Sequence, residues 1–314
     1  IKGKLMDKET GKALLINGKE ITQEYTFKPE NKSGSVDLKF TLDSTGLRNK
    51  TTVVFEDLIY KGITVATHSD IKDEEQTIHF PNIRTNATDG LSGNHAGTLG
   101  KTTVVDKVTY ENLVVGKEYT VSGTLMDKET GKEFLVDGKP VTATKTFTAE
   151  TTNGAVDLVY ELDASALEGK TLVVFENLLV NGKKVVSHAD ITDEDQTVHY
   201  PKIRTNASDV DTKDEVGTVK DTTTLIDKVS YWNLVPGTAY TLKGTVYEKE
   251  SQKAVSSEVT KEFTPTTADG SINLDFSFKS DSEGKDFVVF EDLYTNGKKI
   301  ASHSNIEDKD QTIH

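Results

Sequence analysis

The stretch Val156-Asp157-Leu158-Val159-Tyr160-Glu161-Leu162 decides the fold class of this chain. Apolar side chains stand at every second position from 156 to 162, and two of the three residues between them are acidic. A period of two is typical of a β-strand that buries one face and exposes the other. The same alternation occurs at residues 36–42 and 272–278. The pattern therefore predicts a half-buried strand at each of these three places.

Three copies of one sequence pattern fill the chain. The run Val-Val-Phe-Glu occurs three times, and each copy is followed by a Gln-Thr pair whose glutamine is Gln76, Gln196 or Gln311. These glutamines are 120 (196 − 76) and 115 (311 − 196) positions apart, which is the length of a domain rather than of a solenoid repeat. We predict modules at residues 1–80, 81–201 and 202–314. Ile1 aligns with Val121, so we expect the first module to lack the opening strands of the second.

Turn signals separate the alternating runs. Asn or Asp followed by Gly occurs at 17–18, 137–138, 181–182 and 296–297, and such pairs favour the positive φ angles of tight hairpins. No segment has a helical stripe of several turns. Short strands in units of about 110 residues predict all-β, tandem immunoglobulin-like antiparallel sandwiches. The short, proline-containing junctions at Pro81 and Pro201 favour an elongated rod.

Composition excludes several functions. The formal charge of −14 argues against nucleic acid as a partner, because phosphate binding needs clustered Lys or Arg. The chain has no cysteine, which excludes disulfides, thiolate metal sites and thiol nucleophiles. No run of apolar residues is long enough to enter a membrane. We expect no cofactor and no metal, since the acidic run at 193–195 lacks the glycine turn of a calcium loop. We interpret the chain as a fragment of a longer protein.

Polar residues recur at fixed intervals in all three modules. The interval from Glu to His is 12 (188 − 176 in the second module), and the interval from His to Gln is 8 (196 − 188). By alternation, Glu176 and Gln196 face the apolar interior of the second module, whereas His199 faces outward. A buried carboxylate must find a partner or bind a proton. Spacing alone leaves two interpretations open. Either the repeats inherited the spacing and the polar residues only form hydrogen bonds at loop ends, or these residues form a shared chemical site.

An ordered set of motifs resembles a known family. Asp106-Lys107-Val108-Thr109-Tyr110-Glu111-Asn112-Leu113 is followed by Gly123-Thr124-Leu125-Met126, then by Val174-Phe175-Glu176, His188 and Asp195-Gln196-Thr197. Together they are similar to the intramolecular ester-bond domains, or VaFE repeats, of Gram-positive surface adhesin stalks, whose sandwiches are CnaB-like. In that family a threonine of the opening strand is joined to a glutamine of the closing strand, assisted by His, Asp and Glu.

The resemblance implies a residue set for each module. In the second module it is Thr85, Asp106, Glu176, His188 and Gln196, and in the third it is Thr205, Asp227, Glu291, His303 and Gln311. The first module keeps only Glu56, His68 and Gln76 as an unpaired remnant, because its threonine and aspartate would precede Ile1. Other threonines also precede the Asp-Lys-Val motif, and they remain alternative nucleophiles: Thr102, Thr103 and Thr222–Thr224.

The implied chemistry is a single self-modification. A His oriented by an Asp deprotonates the threonine, which attacks the glutamine carbonyl and releases ammonia. A protonated Glu donates a hydrogen bond to the oxyanion. Since the product stays attached, the protein is expected not to be an enzyme. The implied setting is an extracellular, cell-wall-anchored surface protein, with neighbouring modules as partners and a host surface reached through a head domain outside this sequence.

Three other functions remain as alternatives. A lysine–asparagine isopeptide would also release ammonia, but hydroxylamine would spare it. A ligand-binding adhesin module is disfavoured by near-identical tandem copies with few aromatic residues to expose. A hydrolase based on His188 is disfavoured because an inward-facing site in a packed sandwich leaves little room for a substrate.

Overall fold

A computed structural model describes residues 1–279 and 281–314 of the chain. All strand pairs in this part are antiparallel, and the only helices assigned in it are two single 3-10 turns at Thr45–Leu47 and Glu194–Gln196. The all-β prediction is therefore confirmed. None of the described helical segments has the length and apolarity needed to span a bilayer.

The second module is a sandwich of two sheets. One sheet has the strand order β15-β9-β8, and the other has the order β11-β10-β16-β17, with β14 also paired to β10 and β18 to β16. A small hairpin of β12 and β13 lies beside them. The strands are β8 (Asn82–Asp89), β9 (Lys101–Glu111), β10 (Glu118–Asp127), β11 (Lys132–Glu133), β12 (Leu135–Val136), β13 (Lys139–Pro140), β14 (Thr142–Thr148), β15 (Gly154–Asp163), β16 (Thr171–Val180), β17 (Lys183–His188) and β18 (Thr197–His199).

The third module repeats this topology. Its sheets have the orders β19-β20-β24 and β22-β21-β25-β26, with β23 paired to β21 and β27 to β25. The strands are β19 (Lys202–Asp209), β20 (Thr223–Trp232), β21 (Tyr240–Glu248), β22 (Lys253–Ala254), β23 (Val259–Phe263), β24 (Gly270–Phe278), β25 (Phe287–Thr295), β26 (Lys298–His303) and β27 (Thr312–Ile313).

The first module has one complete sheet, and here one prediction was wrong. Residues 36–42 keep their alternating burial but form no strand. Their counterpart β15 pairs with β9, and none of the described strands of the first module takes the place of β9, so these residues have no described ladder partner. The strands are β1 (Lys2–Asp7), β2 (Leu15–Ile16), β3 (Lys19–Glu20), β4 (Thr22–Glu24), β5 (Lys50–Tyr60), β6 (Ile63–His68) and β7 (Thr77–Phe80).

The hairpin turns follow the sequence signals. At all four predicted Asn-Gly or Asp-Gly pairs both residues have positive φ, for example 50° at Asn181 and 73° at Gly182. Such turns match the twist of the flanking strands and fix their register.

Each complete module buries one apolar core between its two sheets. In the second module the inward residues of β15, Leu158, Tyr160 and Leu162, pack in this core with side chains of β9, β10 and β16. The third module has an equivalent core. Polar side chains that enter these cores must therefore satisfy each other, because water does not reach them.

Candidate functional site

The hairpin register explains the constant interval of twelve residues. Glu176 on β16 is directly opposite His188 on β17, and Glu291 is opposite His303 in the same way. On its other side Glu176 pairs with Gly123 of β10. The repeated spacing therefore places a carboxyl and an imidazole as neighbours on one sheet.

The opposite sheet contributes the remaining polar side chains. Thr85 lies on β8 and Asp106 on β9, where Ala87 pairs with Asp106. Thr205 and Asp227 occupy the equivalent places on β19 and β20. Both aspartates are fully buried, and the two threonines are 7% and 5% exposed. Each complete module thus carries a polar cluster inside its sandwich.

The third module shows the contacts in this cluster most completely. The Thr205 hydroxyl lies 3.2 Å from Nδ1 of His303 and 2.8 Å from Nε2 of Gln311. Nε2 of Gln311 also donates to Glu291 Oε2 at 2.7 Å and to the Val289 carbonyl at 2.7 Å. The hydroxyl therefore contacts both a potential base and the side-chain amide, in a largely buried site.

The second module brings the same residues together. Nε2 of Gln196 donates to Glu176 Oε2 at 2.6 Å, and the Thr85 hydroxyl lies 3.4 Å from that same oxygen. Nδ1 of His188 is buried and has no hydrogen-bond partner among the described atoms. In the third module the equivalent nitrogen contacts the threonine, and the glutamine amide there contacts the threonine hydroxyl as well as the glutamate.

The carboxylate that orients the histidine differs from the predicted one. The resemblance implied Asp106 and Asp227, but Nε2 of His188 lies 3.1 Å from Asp193 Oδ2 and Nε2 of His303 lies 3.1 Å from Asp308 Oδ2. Because a carboxylate accepts, Nε2 carries the hydrogen and Nδ1 keeps a free lone pair toward the threonine. An available signal was missed: an aspartate stands three residues before each glutamine, the first module's Asp73 included.

Asp106 has a different neighbour, the carboxyl group of Glu176. Burial raises the pKa of Asp106 to about 6, and burial together with the charge of Asp106 raises the pKa of Glu176 to about 11. Two close carboxyls cannot both ionise in an apolar site, so one proton remains on Glu176 at neutral pH. Burial likewise raises the pKa of Asp227 to about 6 and that of Glu291 well above its ordinary value.

The Glu carboxyl contacts the nitrogen of the amide rather than its oxygen. In the third module Nε2 of Gln311 faces the Val289 carbonyl, which can only accept a hydrogen bond, so the orientation of the amide is fixed. The Gln311 carbonyl oxygen has no partner among the described atoms. The Glu291 carboxyl therefore does not lie where a hydrogen-bond donor to the Gln311 carbonyl oxygen was expected; it lies beside the amide nitrogen.

The alternative threonines lie elsewhere. The Thr102 hydroxyl donates to Asp89 Oδ2 at 2.7 Å in a separate loop-bracing cluster. Thr223 is buried, and its hydroxyl has no hydrogen-bond partner among the described atoms. Thr103, Thr222 and Thr224 make no described side-chain contact with the glutamine. The geometry therefore favours Thr205, which contacts the Gln311 amide, and Thr85, which shares Glu176 Oε2 with the Gln196 amide.

The first module holds the remnant of the site. Nε2 of Gln76 donates to Glu56 Oε2 at 2.6 Å, and Nε2 of His68 lies 3.0 Å from Asp73 Oδ2. No described threonine contacts Gln76 through its side chain, and the side chain of His68 is 54% exposed against 10% for His303. In the part of the chain that the structure describes, this site has its amide but no hydroxyl side chain in contact with it.

An aromatic ring and a glycine form the apolar wall of the site, and sequence reasoning did not identify them. A Cβ at Gly244, which is opposite Glu291, would lie 2.7 Å from both the Phe276 ring and Leu274. Tyr160 covers Gly123 in the second module in the same way. Only glycine lets the ring approach the strand this closely, and the ring keeps water from the carboxyl pair.

An isopeptide has no candidate lysine in these cores. None of the lysines between residues 1 and 279 or between 281 and 314 is buried. Attack on an amide in a dry core requires a neutral amine that lies inside it. The lysine–asparagine alternative is therefore not supported by the packing of the modules.

Comparison with known proteins agrees with this geometry. A family profile described as a T-Q ester bond containing domain matches residues 1–80, 81–200 and 201–314. No curated protein sequence matches the chain.

Solved structures were also compared. A bacterial adhesin from Mobiluncus mulieris containing intramolecular disulfide, isopeptide and ester bond cross-links is 15% identical, with a TM-score of 0.31 over 68% of this chain and 80% of that chain. A Bacteroides uniformis beta-glucuronidase is 9% identical, with a TM-score of 0.25 over 65% of this chain and 26% of that chain. Superpositions this weak carry no argument about function.

Proposed function

Because this chain belongs to the family of T-Q ester bond containing domains, we propose that its second and third modules each close with an ester, Thr85 to Gln196 and Thr205 to Gln311. The observation that carries the proposal is the position of the Thr205 hydroxyl, in contact with both the free nitrogen of His303 and the amide of Gln311. We propose further that the chain is a stalk segment of a bacterial surface adhesin.

The first chemical step uses the histidine as a base. Nδ1 of His303 accepts the hydroxyl proton of Thr205 while Oγ1 bonds to the side-chain carbonyl carbon of Gln311. Asp308 holds the tautomer and stabilises the imidazolium that forms. Burial lowers the pKa of His303 below its usual value, so the imidazole is neutral and able to act at neutral pH.

The second step expels ammonia. The C–N bond of the tetrahedral intermediate breaks, and the leaving nitrogen takes a proton from Glu291, whose carboxyl lies 2.7 Å away. The proton held by His303 then replaces the one that Glu291 gave up. The balance is one hydroxyl and one amide consumed, one ester and one ammonia formed. Since the ester remains in the chain, each module reacts once and is not an enzyme.

The ester restricts the unfolded chain. Thr85 to Gln196 encloses 111 positions (196 − 85), and Thr205 to Gln311 encloses 106 (311 − 205). Closing loops of this length stabilises a fold by about 5 kcal/mol in the chain-entropy description. Water is excluded from both glutamines, which are fully buried, so the product ester is also protected from hydrolysis.

The positions of the two esters favour a load-bearing role. Gln196 and Thr205 are nine positions apart (205 − 196), so tension passes from one ester through a short connector into the next and bypasses the sandwich that each ester encloses. A stalk that holds a cell against flow needs this property. We therefore assign the chain to the cell surface, with wall anchoring and a host-binding head supplied outside this sequence.

Force spectroscopy tests the stalk role. Without esters, unfolding each complete module would release roughly 350 Å of chain. We expect no extension of this size from the second and third modules of the parent protein and one such event after Thr85→Val. Full-length extension of both modules in the parent would contradict the proposal.

A further inference from the structure

Outside the ester sites, one asparagine of each complete module reaches into the module before it. Nδ2 of Asn233 donates to the carbonyl oxygens of Lys170 at 2.8 Å and Tyr200 at 3.2 Å. Its Oδ1 accepts from the Thr171 hydroxyl at 3.0 Å and lies 2.9 Å from Nδ1 of His199. The amide thus uses both donors and both acceptor positions on groups of the second module.

The junction between the first and second modules repeats this arrangement. Nδ2 of Asn112 donates to the carbonyl oxygens of Lys50 at 2.8 Å and Phe80 at 3.2 Å. Its Oδ1 accepts from Thr51 at 2.9 Å and lies 2.9 Å from Nδ1 of His79. Four equivalent contacts at two junctions make chance packing a poor explanation.

The asparagine is held rigidly in its own module. Asn112 and Asn233 both have φ of 61°, a left-handed conformation that asparagine tolerates better than most residues. The backbone N–H of Asn112 donates to Asn153 Oδ1 at 2.9 Å, and that of Asn233 donates to Asp269 Oδ1 at 3.0 Å. The backbone therefore belongs to one module and the side chain to the preceding one.

We propose that this asparagine is the residue that orients consecutive modules, and that its partner is the end of a preceding module of the same kind. The partner surface consists of two backbone carbonyls, a threonine hydroxyl and the Nδ1 hydrogen of a histidine. We call this set of contacts the asparagine joint. At the second junction this joint holds His199 and Tyr200. Both residues lie in the nine-position connector between the proposed esters.

The two joints differ in how much else supports them. Every described hydrogen bond between the first and second modules involves Asn112. The second junction adds a bidentate ion pair of Arg204 with Glu168 at 2.8 and 2.9 Å. It also has side-chain bonds from Asn94 to Thr295 and from Asn296 to the Ser92 carbonyl. Removing Asn112 should therefore loosen its junction more than removing Asn233 loosens the other.

Spin-label distance measurement tests the joint. The chain has no cysteine, so label pairs can be introduced cleanly: Thr22→Cys with Lys107→Cys across the first junction, and Lys107→Cys with Lys228→Cys across the second. Asn112→Gly removes the side chain and keeps the left-handed backbone. We expect the distance distribution to broaden by about twofold or more, because relative motion is the default for modules with a small interface. Asn233→Gly should broaden its distribution less.

The control is Asn181→Gly, which removes another left-handed asparagine, one with no described side-chain hydrogen bond. It should leave the first distribution unchanged. Thr51→Val removes one contact from the partner side and should broaden the distribution to a smaller extent, which covers failure of Asn112→Gly to fold. Unchanged widths in both variants would overturn the joint. The mass loss from ester formation is measured on the same samples. A missing mass loss would contradict the esters, and an unchanged distance distribution would contradict the joint, so the two proposals are tested separately.

Discussion

Replacing Thr205 with valine separates the ester from the packing that surrounds it. Valine has nearly the same shape, so the buried position stays filled, but the nucleophilic oxygen is gone. The third module should then fold without its crosslink, and its share of the mass loss, about 17 Da for one ammonia, should disappear.

The expected loss of stability follows from the loop that opens. An enclosed loop of 106 positions corresponds to about 5 kcal/mol, and the lost hydroxyl contacts with His303 and Gln311 add about 1 kcal/mol. For a module of this size the crosslink contribution lowers the melting temperature by roughly 20 °C. Differential scanning calorimetry should show the third module's transition at a lower temperature and the second module's transition at an unchanged temperature.

A matched control tests the choice of threonine. Thr223 is buried on the neighbouring strand β20, and its hydroxyl has no described partner. Thr223→Val should therefore keep the full mass loss and leave the melting temperature within a few degrees of the parent. The reasoning is refuted if Thr205→Val retains the mass loss, or if Thr223→Val abolishes it.

Three further predictions concern the residues around the reacting pair. Asp308→Asn should slow crosslinking of the third module by roughly 100-fold or more, because residue 308 then no longer fixes the tautomer of the His303 imidazole. The control, Asp310→Asn at an exposed position, should leave the rate unchanged. A time course of intact mass measures both rates. In a Thr85→Val background, folded Glu176 keeps a proton that the unfolded chain releases near its ordinary pKa of 4.5, so the native state binds more protons and stability falls as pH rises from about 4.5 toward 11. Urea titrations at several pH values should show this fall in the free energy of unfolding, and Glu176→Gln should remove most of its pH dependence. If the pH dependence is unchanged in Glu176→Gln, the proton is held by another group. Gly244→Ala should lower the stability of the third module by about 1–3 kcal/mol through the clash with Phe276, and adding Phe276→Leu should recover part of it in chemical denaturation.

The fold was largely predictable because its signal is local. Alternation at 156–162 and the Asn-Gly pairs depend only on neighbouring residues, and both gave the correct elements. The strand expected at 36–42 failed for a non-local reason: a strand needs a ladder partner, and alternation does not report whether one exists. Its apolar residues remain partly buried without the strand, whereas Leu158, Tyr160 and Leu162 of β15 are buried.

The sequence indicated which polar residues would lie near one another, but not which of them make contact. The constant Glu-to-His interval is a cross-strand pair, which a worked-out hairpin register would have given. The partner of His188 was misassigned, because Asp106 and Asp193 are equally plausible by residue type and only the three-dimensional contact separates them. The asparagine joint was invisible to sequence reasoning, since Asn112 meets Thr51 across 61 positions and two modules.

Mass spectrometry of the unmodified protein tests the ester most directly. Two ammonia losses, in the second and third modules, should lower the intact mass by about 34 Da, and Gln76 should keep its amide because no described threonine side chain contacts it. Trypsin should then release the peptides of Thr85 and Gln196 as one species that hydroxylamine separates. Recovery of the two peptides unlinked, with a free carboxamide at Gln196 in folded protein, would contradict the account.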